Sequence, residues 1–255
     1  MEERYPVIAG AEEFFYKGNK IGILISHGFV GTPQSVQFIG ETLAGYGYTV
    51  LAPRLPGHGT HHHDLESATY EDWFRELEKG YQFLAQQCSV VFVIGQSMGG
   101  TLTLRLAHKY PEIKGIATIN AALSLPAFDY LKEQSTPRFI PEGEPDIKDR
   151  GVYEIAYTQT PLHAIHQLQE VMASTPKLLS EIQTPILCVK SSVDHVVPPE
   201  NTDFIYKSVR SKKKRLITLA NSYHVASMDN DKEFLVEQLH DFVQSQLIYE
   251  LVASY

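Results

Sequence analysis

Short runs of β-branched and aromatic residues recur along the chain, each followed by a longer stretch with helical spacing. Ile21–Ser26 (IGILIS), Tyr48–Ala52 and Val90–Ile94 (VVFVI) are such runs, and unbroken apolarity of that length fits strands covered on both faces. Between them, Pro33 suits the first turn of a helix running to about Gly45, with Val36, Phe38, Ile39 and Leu43 on one face. Tyr70–Gln86 places Trp73, Phe74, Leu77, Tyr81 and Leu84 on another. Thr101–Tyr110 reads as a helix and Ile113–Asn120 (IKGIATIN) as the next strand. Strands alternating with helices over short connections predict a mostly parallel sheet with helices on both faces. Residues 1–20 read as a strand or hairpin edge with aromatic contacts through Phe14, Phe15 and Tyr16.

Regularity lapses between Ala121 and Thr184, where prolines fall at 126, 137, 141, 145, 161 and 176 and helix-like pieces appear at Phe128–Gln134 and Thr160–Leu179. Alternation resumes with a strand at Pro185–Val189, a helix from Pro199 through Val209, a strand at Arg215–Leu219 and a final helix from about Asp231 to Leu247. An irregular insertion between two sheet strands has no place in the sheet, so it is expected over the strand ends. The predicted organisation is an α/β core of residues 1–120 and 185–255, with a small cap of residues 121–184 inserted after the sixth strand.

Composition narrows the picture. The 255 residues are 43% hydrophobic and 20% charged, the balance of an ordinary globular domain. A formal charge of −8 argues against a nucleic-acid partner, which needs clustered positive charge. The acidic start MEERYPVIAG lacks a basic region leading into an apolar one, and no apolar stretch approaches a membrane span. A cytoplasmic protein without integral membrane association is therefore expected. Cys88 and Cys188 lie far apart without metal-ligand spacing and are expected as free thiols.

The chemistry converges on Val90–Gly100, VVFVIGQSMGG. A strand, the pattern Gly-x-Ser-x-Gly and a helix, in that order, describe a tight turn that presents a serine at the helix N-terminus. Gly95 and Gly99 fit because side chains two residues either side of Ser97 would collide with backbone. A serine hydroxyl is a weak nucleophile at neutral pH, so it needs a neutral histidine as base and an acid to fix the histidine tautomer. On such a sheet the partners follow in the order acid, then histidine, after later strands. Asp194 follows the 185–189 strand and His224 follows the 215–219 strand. His195 falls too early and His240 lies within the terminal helix pattern. Donors for an oxyanion are expected from the backbone N–H groups of Met98 and of Phe29, the latter in His27–Gly31, where glycines permit an unusual turn. The Phe29 and Met98 side chains would then border an acyl pocket.

Two further features bear on function. His58, His61, His62 and His63 with Asp64 invite a metal reading, but adjacent histidines on a loop splay apart whereas a site needs convergent ligands. No metal and no cofactor are expected, and His58 is assigned to ordering its loop. Glu154, in Val152–Ala156, is an acid among apolar neighbours; an exposed helix charge is the plainer reading, and binding of glycerol hydroxyls the functional one.

These residues resemble the bacterial carboxylesterases and monoacylglycerol lipases of the α/β-hydrolase superfamily. The resemblance rests on His27–Pro33, Pro53–Thr60, Gly95–Leu102, Asp194–Pro199 and Asn221–Val225 and covers nearly the whole chain. It implies cofactor-free hydrolysis of a small-molecule ester, with a short- to medium-length acyl chain or a monoacylglycerol, through Ser97, Asp194, His224, Phe29 and Met98. The alternatives are an acyltransferase that intercepts the same acyl-enzyme and a non-catalytic ligand-binding protein on this fold. Oligomeric state is not readable from the sequence.

Overall fold

A computed structural model describes the backbone of residues 1–253 and the side chains through Leu247. The chain runs β1 (Phe14–Tyr16), β2 (Ile21–Ser26), α1 (Gln37–Gly45), β3 (Thr49–Ala52), α2 (His62–Ser67), α3 (Tyr70–Gln87), β4 (Val90–Gln96), α4 (Met98–Lys109) and β5 (Gly115–Ile119). It continues through β6 (Phe139–Pro141), β7 (Gln159–Pro161), α5 (Leu162–Ser174), β8 (Ile186–Ser191), α6 (Glu200–Ser208), β9 (Lys214–Leu219) and α7 (Lys232–Ala253). A seven-stranded sheet has the order β1-β3-β2-β4-β5-β8-β9, parallel throughout except for β1, which pairs antiparallel with β3 at the edge.

The central strand β4 shows why its sequence is apolar without alternation. Val91 and Val93 face a cluster with Trp73, Leu77 and Leu84 of α3 and Leu102 and Leu106 of α4. Phe92 and Ile94 face the opposite cluster with Ile39 and Leu43 of α1 and Leu235, Leu239 and Phe242 of α7. Side chains alternate between faces along a strand, and both faces are covered, so both must be apolar. The start of α3 is set by a capping box: Thr69 Oγ1 accepts from Asp72 N at 3.3 Å and Asp72 Oδ2 accepts from Thr69 N at 3.1 Å. Both cysteines are free.

Several expectations are corrected. The insertion follows the fifth strand, not the sixth, because the N-terminal region contributes the single strand β1 and no hairpin. The helix expected from Pro33 opens with a 3-10 turn over Pro33–Val36, and the piece expected at 128–134 is a 3-10 segment over Pro126–Leu131. The piece at 160–179 divides into α5 and a 3-10 turn at Pro176–Glu181, where proline removes a helical donor. The pattern gave no sign of α2, too short to carry a period, nor of the two-stranded antiparallel sheet of β6 and β7. Between β5 and β8 the chain leaves the main sheet, yet Ala164, Leu168, Val171 and Met172 of α5 join the same cluster as α3 and α4. Among the described residues no helix is long and apolar enough to cross a membrane.

Candidate active site

At the C-terminal end of β4 the backbone reverses through Ser97, whose φ of 55° and ψ of −121° lie where L residues rarely sit. A Cβ on Gly95 would overlap the carbonyl of Gly99, and one on Gly99 would overlap the carbonyls of Ser26 and His27. The turn therefore closes only with glycine at both positions. It is fastened on either side, with Ser97 N donating to Ile119 O at 2.9 Å and Ala122 N donating to Ser97 O at 3.2 Å.

The loops after β8 and β9 open on the same edge. His224 Nε2 lies 2.9 Å from Ser97 Oγ, and His224 Nδ1 lies 2.8 Å from Asp194 Oδ2. The other carboxylate oxygen of Asp194 accepts from Val196 N at 2.9 Å and Val197 N at 2.8 Å. That leaves one oxygen for His224 and fixes which ring nitrogen carries hydrogen toward it. The Asp194 side chain is 1% exposed and that of His224 9%. The competing histidines are elsewhere: His195 Nδ1 meets Asp146 Oδ1 at 2.8 Å and His240 Nδ1 meets Tyr48 Oη at 2.9 Å.

The loop after β2 is held against Ser97 so closely that a Cβ on Gly28 would stand 3.2 Å from Ser97 Cβ. Within it the left-handed residue is Val30, with φ of 64°, and not a glycine as expected. A β-branched residue there stores roughly 1–3 kcal/mol of strain. The glycines serve close approach instead, since a Cβ on Gly31 would come within 2.9 Å of Glu154 Oε1. His27 anchors the loop, its Nε2 accepting from Leu55 N at 3.1 Å and its Nδ1 meeting Gly28 O at 2.9 Å. Burial pulls its pKa down to about 3, with His58 and Arg54 nearby acting in the same direction, so the ring is neutral with its hydrogen on Nδ1. Neither Phe29 N nor Met98 N donates to another described residue, so both are available to an oxyanion.

A cavity of about 770 Å³, including its open mouth, lies over Ser97 and His224, lined by Phe29, Val30, Leu125, Phe128, Leu168 and Val196 together with Glu142, Asp146 and Glu154. Met98 corrects one expectation. Its side chain is fully buried in the core between sheet and helices and does not line the cavity. Glu154 corrects another, because residues 152–157 form no helix and the carboxyl lies in the cavity wall. Burial pushes its pKa up to about 7, partly opposed by His224 and assisted by Glu142.

The histidines also depart from expectation. The rings of His61, His62 and His63 do not splay but gather, with centroids 3.9, 4.5 and 4.9 Å apart. His58 lies apart from them, fully buried against His27, Phe29 and Trp73. It orders the Pro53–Gly59 loop through its Nδ1, 3.2 Å from Pro56 O.

Three residues outside the expected set organise the site. Asn120, left-handed with φ of 46° and 2% exposed, donates through Nδ2 to Ser191 Oγ and His224 O and accepts from Ser191 N through Oδ1. It thereby joins the end of β5 to the loops carrying Asp194 and His224. Asp146 accepts from His195 N at 3.0 Å and His224 N at 3.2 Å. Asp229 accepts from Lys148 N at 2.8 Å, Asp149 N at 3.0 Å and Tyr223 N at 2.8 Å. Asn120 carried a sequence signal, an asparagine directly after an apolar strand, where left-handed backbone is tolerated. The two aspartates lie among other polar residues and carried none.

Comparison with known proteins places the chain among lipases and esterases. The family model Hydrolase_4, described as serine aminopeptidase, S33, matches residues 18–145 and 153–231. The thermostable monoacylglycerol lipase of Bacillus sp. (strain H-257) is 44% identical over 244 residues, spanning 95% of this chain and 98% of that protein. The carboxylesterase of Bacillus subtilis (strain 168) is 27% identical over 239 residues, spanning 91% and 95%. A solved structure from work on LipS and LipT, two metagenome-derived lipolytic enzymes, superposes with a TM-score of 0.91 at 42% identity, covering 94% of this chain and all of that one.

Proposed function

Since the chain belongs to the Hydrolase_4 family and is a hydrolase of the lipase and esterase type, we propose that it cleaves carboxylic esters through an acyl-enzyme on Ser97. His224 Nε2 takes the Ser97 proton as Oγ attacks the ester carbonyl, and Asp194 supports the imidazolium that forms. The N–H groups of Phe29 and Met98 receive the oxyanion. Collapse breaks the acyl–alcohol bond, and His224 returns its proton to the departing alkoxide. Water then attacks the acyl-enzyme with His224 again as base, releasing the carboxylic acid and restoring Ser97. The observation that carries this reading is the unbroken line Asp194–His224–Ser97 at 2.8 and 2.9 Å beneath a cavity walled in part by Phe29, Leu125, Phe128 and Leu168.

In this reading residues 121–184 act as the cap and supply Leu125, Phe128 and Leu168 to the acyl chain. A cavity with this apolar wall and with carboxyl groups elsewhere in its lining suits a short- to medium-chain acyl ester or a monoacylglycerol. Glu154, in the wall of the same cavity, is assigned to the hydroxyl groups of the alcohol portion.

The test is turnover of p-nitrophenyl esters of graded chain length and of 1-monoacylglycerol, with and without a fluorophosphonate that labels active serines. Labelling at Ser97 with loss of turnover is expected, and the chain-length profile selects the preferred substrate. Folded protein with neither labelling nor turnover overturns the reading in favour of a binding protein; acyl transfer to an added alcohol in place of hydrolysis overturns it in favour of an acyltransferase.

Glu154→Gln gives two expected results. Assayed above pH 7, where the carboxyl has released its proton, the ratio of monoacylglycerol to alkyl ester turnover should fall about tenfold, the loss of a hydrogen bond to a charged acceptor; an unchanged ratio removes Glu154 from the alcohol site. Stability should also change with pH. The native state holds the Glu154 proton up to about 7 and the unfolded chain releases it near 4.5, so folding binds more protons between those values and stability falls as pH rises through them. Glutamine carries no such loss. Above pH 7 the variant should melt roughly 3–8 °C higher than the parent, and below pH 4.5 the two should coincide. Melting curves across pH 4 to 8 decide it.

A further inference from the structure

We propose that His61, His62 and His63 form a binding site for a divalent transition-metal ion of the zinc class, at the seam between α2 and the small β6–β7 sheet. His61 caps α2 in an extended conformation, and the other two occupy its first turn. One candidate ligand atom from each residue lies within 4.8 Å of the other two. Three nitrogens around one such ion, each at about 2.0–2.1 Å, stand roughly 3.4 Å apart. Side-chain rotation of about 1 Å or less per ring brings the observed cluster to that spacing.

A metal-ligating imidazole offers the lone pair of one nitrogen to the ion and keeps its hydrogen on the other, where an acceptor best holds it. His61 Nδ1 accepts from His63 N at 3.2 Å. His62 Nε2 meets Gln159 Nε2 at 2.7 Å. His63 Nδ1 lies 3.6 Å from Glu66 Oε2, a carboxylate itself held by Arg138 at 2.6 and 2.7 Å. The lone pairs open to the ion are those of His61 Nδ1 and His62 Nε2, each of which would exchange an N–H donor for the metal, and of His63 Nε2, whose ring directs its Nδ1 hydrogen toward Glu66. Aromatic walls hold the rings in place: Tyr5 stacks on His61 with centroids 4.1 Å apart, and Phe139 sets its edge against His62 and His63 at 5.1 and 5.3 Å. All three histidines are half-buried, so an ion held on one side by imidazole keeps water on the other.

These contacts come from three separate parts of the chain. Tyr5 belongs to the N-terminal segment, the histidines to the loop and helix after β3, and Phe139 and Gln159 to β6 and β7. A bound ion would clamp the three together. Its stabilisation follows mass action: at a hundredfold excess of ion over Kd, the melting temperature should rise by roughly 5–10 °C.

The experiment uses the full chain without an affinity tag, stripped with chelator and then titrated with ZnCl2 by calorimetry and with CoCl2 by visible absorption. The expected result is one ion per chain with a Kd on the order of 1–50 µM and a cobalt spectrum of nitrogen ligation. His62→Ala should weaken binding at least tenfold, and the triple alanine variant should abolish both binding and the thermal shift. His108→Ala, at the end of α4 where its ring meets Glu181, should bind as the parent does. Melting in chelator shows whether each variant is folded, and His62→Asn, which keeps a polar group beside Gln159, serves if the alanine variant is not. Absence of saturable one-to-one binding overturns the proposal. So does binding that survives the triple variant, which would place the ion elsewhere, for instance at His195 and His224. None of these readouts depends on ester turnover.

Discussion

Ser97→Ala is expected to lower ester turnover by about five orders of magnitude, with the thermal transition and the fold unchanged. In the proposed mechanism the hydroxyl oxygen forms the covalent bond, so its removal leaves only oxyanion donors and binding to assist water. The turn itself has no use for it. Alanine adopts φ near 55° about as readily as serine, and the bonds that hold the turn, Ser97 N to Ile119 O and Ala122 N to Ser97 O, are made by backbone. The contrast is Gly95→Ala, whose Cβ would overlap the Gly99 carbonyl and unseat the turn together with the strand. Steady-state turnover of a p-nitrophenyl ester and a calorimetric melt on the same preparation decide the matter. Activity within a hundredfold of the parent would remove Ser97 from the nucleophile's role.

Asp194→Asn is the second large effect, at roughly 10³–10⁴-fold in turnover, and its cause is unusually well determined. Oδ1 receives two backbone donors, Val196 N and Val197 N. In the asparagine variant these donors still require an oxygen, so the amide nitrogen must turn toward His224. An NH2 there can only donate, which forces His224 Nδ1 to accept and puts the ring hydrogen on Nε2, facing Ser97. The base then holds the proton it has to take. The geometry should survive while the tautomer reverses, and nitrogen NMR of the imidazole reads the exchange directly. If the variant retained the parent's tautomer and still lost turnover, orientation by Asp194 would not be the explanation.

Much of the fold was legible because both faces of a parallel sheet are covered. The runs at Ile21–Ser26 and Val90–Ile94 had to be apolar at every position, and α3 had to carry Trp73, Leu77 and Leu84 at helical spacing. Strand order then sufficed to pick out Ser97, Asp194 and His224, which the fold brings into one hydrogen-bonded line. The illegible parts share a different physics. Asp146 and Asp229 act on backbone N–H groups about 80 residues away, and a bond to a distant peptide leaves no periodic trace. Val30 adopts a backbone that its residue type disfavours, held there by its surroundings and not by its own preference. Gathering of the histidines depends on Tyr5 and Phe139, remote in the chain.

The seam made by Asp146 and Asp229 bears on how such an enzyme can be re-engineered. Exchanging residues 121–184 for those of a relative is the natural route to a new substrate range, on the view that the core supplies the rate and the insertion the selectivity. Here the insertion contains Asp146, which holds the backbone of His224, as well as the peptide groups of Lys148 and Asp149 that Asp229 binds. A transplanted segment lacking that aspartate would loosen the histidine loop for every substrate alike. Modularity ends at Asp146: a graft that keeps residues 145–150 should shift preference alone, and one that replaces them should slow all substrates by a common factor.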